Sequence, residues 1–213
     1  MHGRPVGDRM TDWIVLGAGG HARSVADVVQ RKGDRVVAVT GIPSGRWDVP
    51  VLVSDDEAID LALRSDLAVA LGIGSGVARL STLERLRAAG VRAPAVTAST
   101  ATVSASASIA TGVVVLEHAH VGPAARLGPA VLVNTAAVVE HDVVVGSGTH
   151  VAPGAVLLGG ACAEDLVFVG AGAVVLPLVR LGEGCVVGAG SVVRDDVGPG
   201  RTVVGSPALP TSP

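Results

Sequence analysis

The chain has 213 residues, a net charge of −3 and 49% apolar content. That length holds one large domain or two small ones, and the charge leaves no basic stripe for nucleic acid. The apolar residues are mostly Val and Ala, and no uninterrupted run reaches the ~20 residues needed to span a bilayer.

Residues 1–11, MHGRPVGDRMT, lack the apolar core of a signal peptide. They are expected to be a leader without fixed structure, with Met10 as an alternative start. Residues 12–91 then alternate strand and helix. Asp12 to Leu16 reads as a strand and runs through Gly17-Ala-Gly-Gly-His21-Ala22 into an amphipathic helix over Ser24 to Arg31. Strands follow at Arg35 to Thr40, Val51 to Val53 and Leu67 to Leu71, with helices at Asp56 to Arg64 and Val77 to Ala89. The alternation predicts a parallel sheet of Rossmann type. Gly17-x-Gly19-x-x-Ala22 is a turn that lets the backbone approach an anion at a helix N-terminus. A dinucleotide site also wants an acid at the end of the second strand. That strand ends Thr40-Gly41, which argues against NAD or NADP. A tight turn that merely packs helix on strand, or a nucleotide-sugar site, remains.

Residues 92–102 read as a linker. From Val103 to Val192 the chain repeats every six residues, fifteen times. The first position of each hexad is Val, Ile or Leu, Ala163 alone excepted. The fifth, from Ala107 to Ser191, is always small or β-branched. Gly, Asn and Asp gather at positions two to four. Two inward positions and a permissive corner per hexad describe a β-solenoid. Residues 209–213 are left as a tail. Cys162 and Cys185 form no C-x-x-C pair and read as small solenoid residues in a reducing cytoplasm.

The repeat resembles that of the hexapeptide acyltransferases, whose 18-residue coils form a left-handed parallel β-helix. The handedness comes from the resemblance, since it opposes the usual right-handed crossover. Gly-Ala-Gly-Gly-His at 17–21, fused to this repeat over 103–208, resembles the sugar acyltransferases of sialic-acid and bacillosamine biosynthesis. The chain departs from them at Thr40-Gly41, where they carry an acidic pair, and at Gly74-Ser75-Gly76, where they carry a Gly-Asp-Asn type loop. The resemblance implies acetyl-coenzyme A as co-substrate, a nucleotide-activated amino sugar as acceptor and no metal. Gly17, Gly19, Gly20, His21 and Asn134 are then expected on the sugar side.

Asn134 opens the most specific segment, which continues through Glu140-His141-Asp142 to Thr149-His150. In the family the first histidine is the general base, the following acid polarises it and the histidine nine residues later lies beside the acyl donor. These roles fall on His141, Asp142 and His150. The residues alone support the first. His141 is at a third position, neither of the inward ones, and imidazole titrates near neutral pH. Adjacent strand residues point to opposite faces, so a His141–Asp142 contact requires a turn there; Glu140 is the other available orienter. Gly159 follows His141 by 18 residues and should stack one coil above, about 4.8 Å away. Its N–H is the expected oxyanion donor, and Gly160 joins it on the donor side. His118 and His120 are expected on another face.

These expectations define an N-acetyltransferase working by direct transfer, a homotrimer with sites between subunits. The trimer rests on the family and on surplus apolar residues in Val113–Leu116 and Val143–Val145. O-acetylation of a sugar such as sialic acid, a non-catalytic binding module, a zinc enzyme of the carbonic-anhydrase type and an NAD(P) oxidoreductase are the competing readings.

Overall fold

The computed structural model describes residues 10–211. The expected leader falls largely outside them, as does the end of the expected tail. The first part is a parallel four-stranded sheet in the order β3-β2-β1-β4, built from β1 (Asp12–Leu16), β2 (Arg35–Thr40), β3 (Val51–Leu52) and β4 (Ala68–Leu71). Ile14, Val15, Leu16 and all of β4 are buried. Such near-continuous burial is what a parallel sheet covered on both sides demands.

Three helices cover it: α1 (Gly20–Arg31), α2 (Asp55–Ser65) and α3 (Gly76–Ala88). Helix α1 begins four residues before the expected Ser24, because the glycine turn feeds directly into it. Gly17 has φ 119, and a Cβ there would lie 2.5 Å from the Gly72 carbonyl oxygen, so only glycine fits. Helix α2 starts in a reciprocal cap. Ser54 Oγ accepts from the Glu57 N–H, and Glu57 Oε2 accepts from the Val53 N–H.

Residues 92–102, expected as a linker, already carry the first rung of the solenoid. Here β5 (Val96–Thr97) pairs in parallel with Val114–Val115. Sixteen two-residue strands follow, β6 to β21, one every six residues from Thr102–Val103 to Val192–Val193. From β6 to β18 each pairs with the strand three later, 18 residues on, as in Leu132↔His150 and Val133↔Val151. Three flat faces result. Face one holds β6, β9, β12, β15, β18 and β21; face two holds β7, β10, β13, β16 and β19; face three holds β5, β8, β11, β14, β17 and β20. Face three is extended by β22 (Thr202–Val204), with β23 (Leu209–Pro210) antiparallel to it.

First and fifth positions fill the interior from Val113 to Val193 as the pattern predicts. Two of them are polar, and both are satisfied. Thr149 Oγ1 accepts from the Val167 N–H and donates to the Glu164 carbonyl, while Ser191 Oγ accepts from the Gly205 N–H. The corners repeat as strictly. From Gly112 to Gly190 every fourth hexad position has positive φ, seven of the fourteen being glycine.

The two parts share one interior. Val96, Val114 and Leu132 of face three, with Leu116 at its corner, are buried with Val25, Val28 and Val29 of α1. This corrects one expectation. The surplus apolar residues of Val113–Leu116 are covered by the chain's own first domain and say nothing about a neighbour. The uncovered apolar row lies elsewhere, where Val138, Val156, Val174 and Val192 stack half-buried along face one. Among the described residues no helix is long and apolar enough to cross a membrane.

Candidate active site

His141 lies on the corner between β12 (Val138–Val139) and β13 (Val144–Val145), where faces one and two meet. Asp142 is the fourth residue of that corner and has φ 60. Asp is among the few non-glycine residues that tolerate this region. The left-handed turn swings its carboxylate back, so that Oδ2 lies 2.8 Å from His141 Nδ1. An ionised carboxylate only accepts, so Nδ1 carries the proton and Nε2 holds a free lone pair. Asp142 is therefore the orienter in place, and Glu140 is not.

Gly159 stands directly above. A Cβ at 159 would lie 2.5 Å from both Nε2 and Cε1 of His141, so the imidazole occupies the space that a side chain would take. The Gly160 N–H donates to the His141 carbonyl at 3.0 Å and locks the two coils in register. The Gly159 N–H donates to no acceptor among the described residues. This follows from the corner geometry. Third-position N–H groups point out of the ladder, and Pro123, Pro129, Pro153 and Pro177 dispense with theirs altogether.

The second group of expected residues gathers elsewhere. His150 is the sixth residue of its hexad and belongs to β14 (His150–Val151) on face three. All of face two lies between it and His141 within one chain. Its surroundings fix its tautomer. The Thr135 N–H donates to Asn134 Oδ1, which orients that amide, and Asn134 Nδ2 then donates to His150 Nε2 at 3.1 Å. Nδ1 of His150 thus carries the proton. Phe168 meets its ring edge-on at 5.2 Å.

His21, in the first turn of α1, and Arg79, on α3, complete this group. Arg79 is fully buried and has no carboxylate partner among the described residues. It donates to the carbonyls of Ala130, Ile73, Gly74, Gly148 and Thr149, tying the first domain to the solenoid. Burial pushes its pKa down to about 10. His150 is held down at about 4 by burial, then by the Arg79 and His21 charges. His21 is held at about 4 by burial and by Arg79, and its buried Nε2 has no partner among the described residues. Both histidines are neutral at pH 7. Arg79 escaped the sequence reading, since an arginine on a helix normally reads as solvent-facing.

At the glycine turn, Gly19 and Gly20 face open space. A carboxylate from α2 reaches Thr40 at the end of β2. Thr40 Oγ1 accepts from the Gly17 N–H and donates to Asp55 Oδ1 at 2.8 Å. Ser75 of the Gly74-Ser75-Gly76 loop caps α3 by accepting from the Ala78 N–H. His120 corrects another expectation. As a sixth-position residue it stands on face one, one coil below Val138 and thus on the strand row that leads to His141. Its Nδ1 is 2.8 Å from Thr102 Oγ1. His118 caps a different corner at φ 59. Among the described residues no three His, Cys, Asp or Glu side chains converge as a metal site.

A hexapeptide β-helix behind a Rossmann-like domain, with a carboxylate-oriented histidine on its corner, is the architecture of an acyltransferase. Residues 12–86 match the PglD N-terminal domain family. The acetyltransferase domain of PglB from Neisseria gonorrhoeae, solved with acetyl coenzyme A, superposes with a TM-score of 0.90 at 30% identity. The match covers 95% of this chain and all of that one. A mutant perosamine N-acetyltransferase from Caulobacter crescentus, solved with CoA and GDP-perosamine, gives 0.90 at 29% identity over 96% and 99% of the two chains. A curated relative, the 2,3,4,5-tetrahydropyridine-2,6-dicarboxylate N-acetyltransferase of Staphylococcus aureus, is 45% identical over 67 residues, 28% of each chain. The match to it thus spans about a quarter of that protein's length. The chain belongs to the hexapeptide-repeat family of nucleotide-amino-sugar N-acetyltransferases, with their Rossmann-like domain and left-handed β-helix.

Proposed function

We propose that the chain transfers an acetyl group from acetyl-coenzyme A to the amine of a nucleotide-linked sugar, in one direct step. The observation that carries this is the His141 ring, its Nδ1 held by Asp142 and its Nε2 turned beneath a side-chain-free Gly159. The sugar amine attacks the thioester carbonyl while Nε2 takes the amine's proton. Asp142 stabilises the imidazolium that forms. The Gly159 N–H receives the oxyanion, and Gly160 leaves room for the donor. The C–S bond then breaks, the coenzyme A thiolate takes a proton, and the amide is the product. The nucleotide diphosphate lies at Gly17, Gly19 and Gly20, beside His21 and Asn134.

We place the working site between subunits of a homotrimer. Within one chain, face two separates His141 from the His21–Asn134–His150 group. Packing the valine row of face one against Phe168 and Val186 on a neighbour's face three closes a three-fold ring. It sets His141 of one chain beside His150 of the next and covers the apolar row. The free thiols Cys162 and Cys185, the latter pushed up to about 11 by burial, support a reducing cytoplasm.

Mass spectrometry of products from a panel of UDP-, GDP- and dTDP-linked amino sugars with acetyl-coenzyme A tests the reading. A gain of one acetyl group on nitrogen is expected. No acetylated product from any member of the panel would contradict it.

A further inference from the structure

Leu178 departs from two habits of this solenoid at once. It occupies a left-handed corner position, φ 65, where half of the corners use glycine and most others use alanine or a polar residue. Its side chain is also 76% exposed. Leu166, the other leucine in this position, is covered within the chain, because its Cδ2 lies beside Gly76 at the start of α3. Leu178 has no such cover among the described residues. A strained backbone and an uncovered apolar side chain persist where something else makes use of them.

What lies beneath Leu178 indicates the use. It stands 18 residues after Gly160, on the corner that carries His141. Its Cδ2 is 2.7 Å from where a Gly160 Cβ would be, and its N–H donates to the Gly159 carbonyl at 3.2 Å. Read upward, the corner runs from the His141 imidazole through the Gly159–Gly160 step to the Leu178 methyls. It is a notch floored by glycine, with a base at one end and an apolar wall at the other. The first domain covers the lower rungs of face three, so the acyl donor has the upper rungs open to it.

We infer that Leu178 is a specificity-determining residue, the wall that limits the length of the acyl group the donor can bring to His141. The inference rests on the acetyl-transfer reading. An acetyl group ends at one methyl between the glycine step and the leucine, whereas propionyl and butyryl chains meet the leucine side chain. Adding or removing a methylene's worth of space in such a pocket changes discrimination by roughly 10–200-fold.

The experiment compares acetyl- and butyryl-coenzyme A as donors for wild type, Leu178→Ala and Leu178→Gly. The glycine variant also relieves the backbone, so it guards against loss of fold. Both variants are expected to raise kcat/KM for butyryl relative to acetyl by about tenfold or more. Calorimetry should show butyryl-coenzyme A gaining affinity relative to free coenzyme A. An acyl preference within twofold of wild type, with or without a changed assembly state, would overturn the inference. A wild type that transfers neither group would sink the transfer reading, and the calorimetric ratio would still decide the role of Leu178.

Discussion

Asp142 Oδ2 sits 2.8 Å from His141 Nδ1 because Asp142 is left-handed, with φ 60. Neighbours in an extended strand point apart; the corner folds them together. The pair needs no third residue and no burial, since both side chains are well exposed in the single chain. It fixes the tautomer that leaves Nε2 free.

Asp142→Asn should keep the corner, because asparagine also accepts positive φ. It loses the charge that holds the imidazolium and admits the opposite tautomer. Turnover should fall about 100-fold or more, in line with other carboxylate-oriented histidine bases. Steady-state kinetics beside an unchanged circular dichroism spectrum checks this; turnover within threefold of wild type would remove Asp142 from the mechanism.

Gly159→Ala tests the stacking. The backbone there is not left-handed, so alanine costs the fold little. Its Cβ would stand 2.5 Å from two ring atoms of His141, and the ring must swing away. A loss of turnover on the order of 100-fold with a melting temperature close to wild type is expected. Full activity would show that the ring position does not matter.

Arg79→Met strips the donors from five carbonyls, three of them across the domain seam at Ala130, Gly148 and Thr149. Buried unsatisfied acceptors cost about 1–3 kcal/mol each before relaxation. A net loss of roughly 3 kcal/mol is expected in chemical denaturation, at the upper end for a single substitution. The same variant removes the charge that helps hold His21 and His150 down, so both should titrate higher by NMR. A denaturation midpoint like that of wild type would mean the seam holds without the arginine.

Stability should fall in mild acid. His21 and His150 have folded pKa values of about 4 against an ordinary 6.5. Between those values the unfolded chain binds more protons, so stability is complete above about 6.5 and is lost as pH falls toward 4. The loss is on the order of 3 kcal/mol per histidine once pH is below the folded value. Melting temperatures from pH 7 to 4 should show the drop, and a His21→Gln, His150→Gln double variant should show a shallower one. Parallel curves would contradict the buried-neutral assignment.

The interior of the solenoid was legible because one rule repeats: a residue at position one or five of a hexad has nowhere to go but in. Val113 to Val193 follow it with two polar exceptions that the chain satisfies internally. The seat of Gly159 above His141 followed from the 18-residue arithmetic, whereas Asp142 was expected from the family resemblance and needed the turn that the corner supplies. Sixth positions misled, since they already belong to the next strand. His120 and His150 are therefore one face further along than their hexads suggest. What depended on the other domain was not visible in the repeat. Val114 and Leu116 look like surplus surface until α1 covers them, and Arg79 looks solvent-facing until the corner carbonyls meet it. Asp55 lies 15 residues from Thr40, so a search at the end of β2 alone does not find the acid.

His141→Ala gives the most direct test. The side chain is exposed on a corner, so its loss leaves no cavity, and coenzyme A binding and melting temperature should match wild type. Removing a positioned general base should cost about 100- to 10,000-fold in turnover under conditions where chemistry limits the rate. A variant that keeps more than about a third of wild-type turnover would contradict the account.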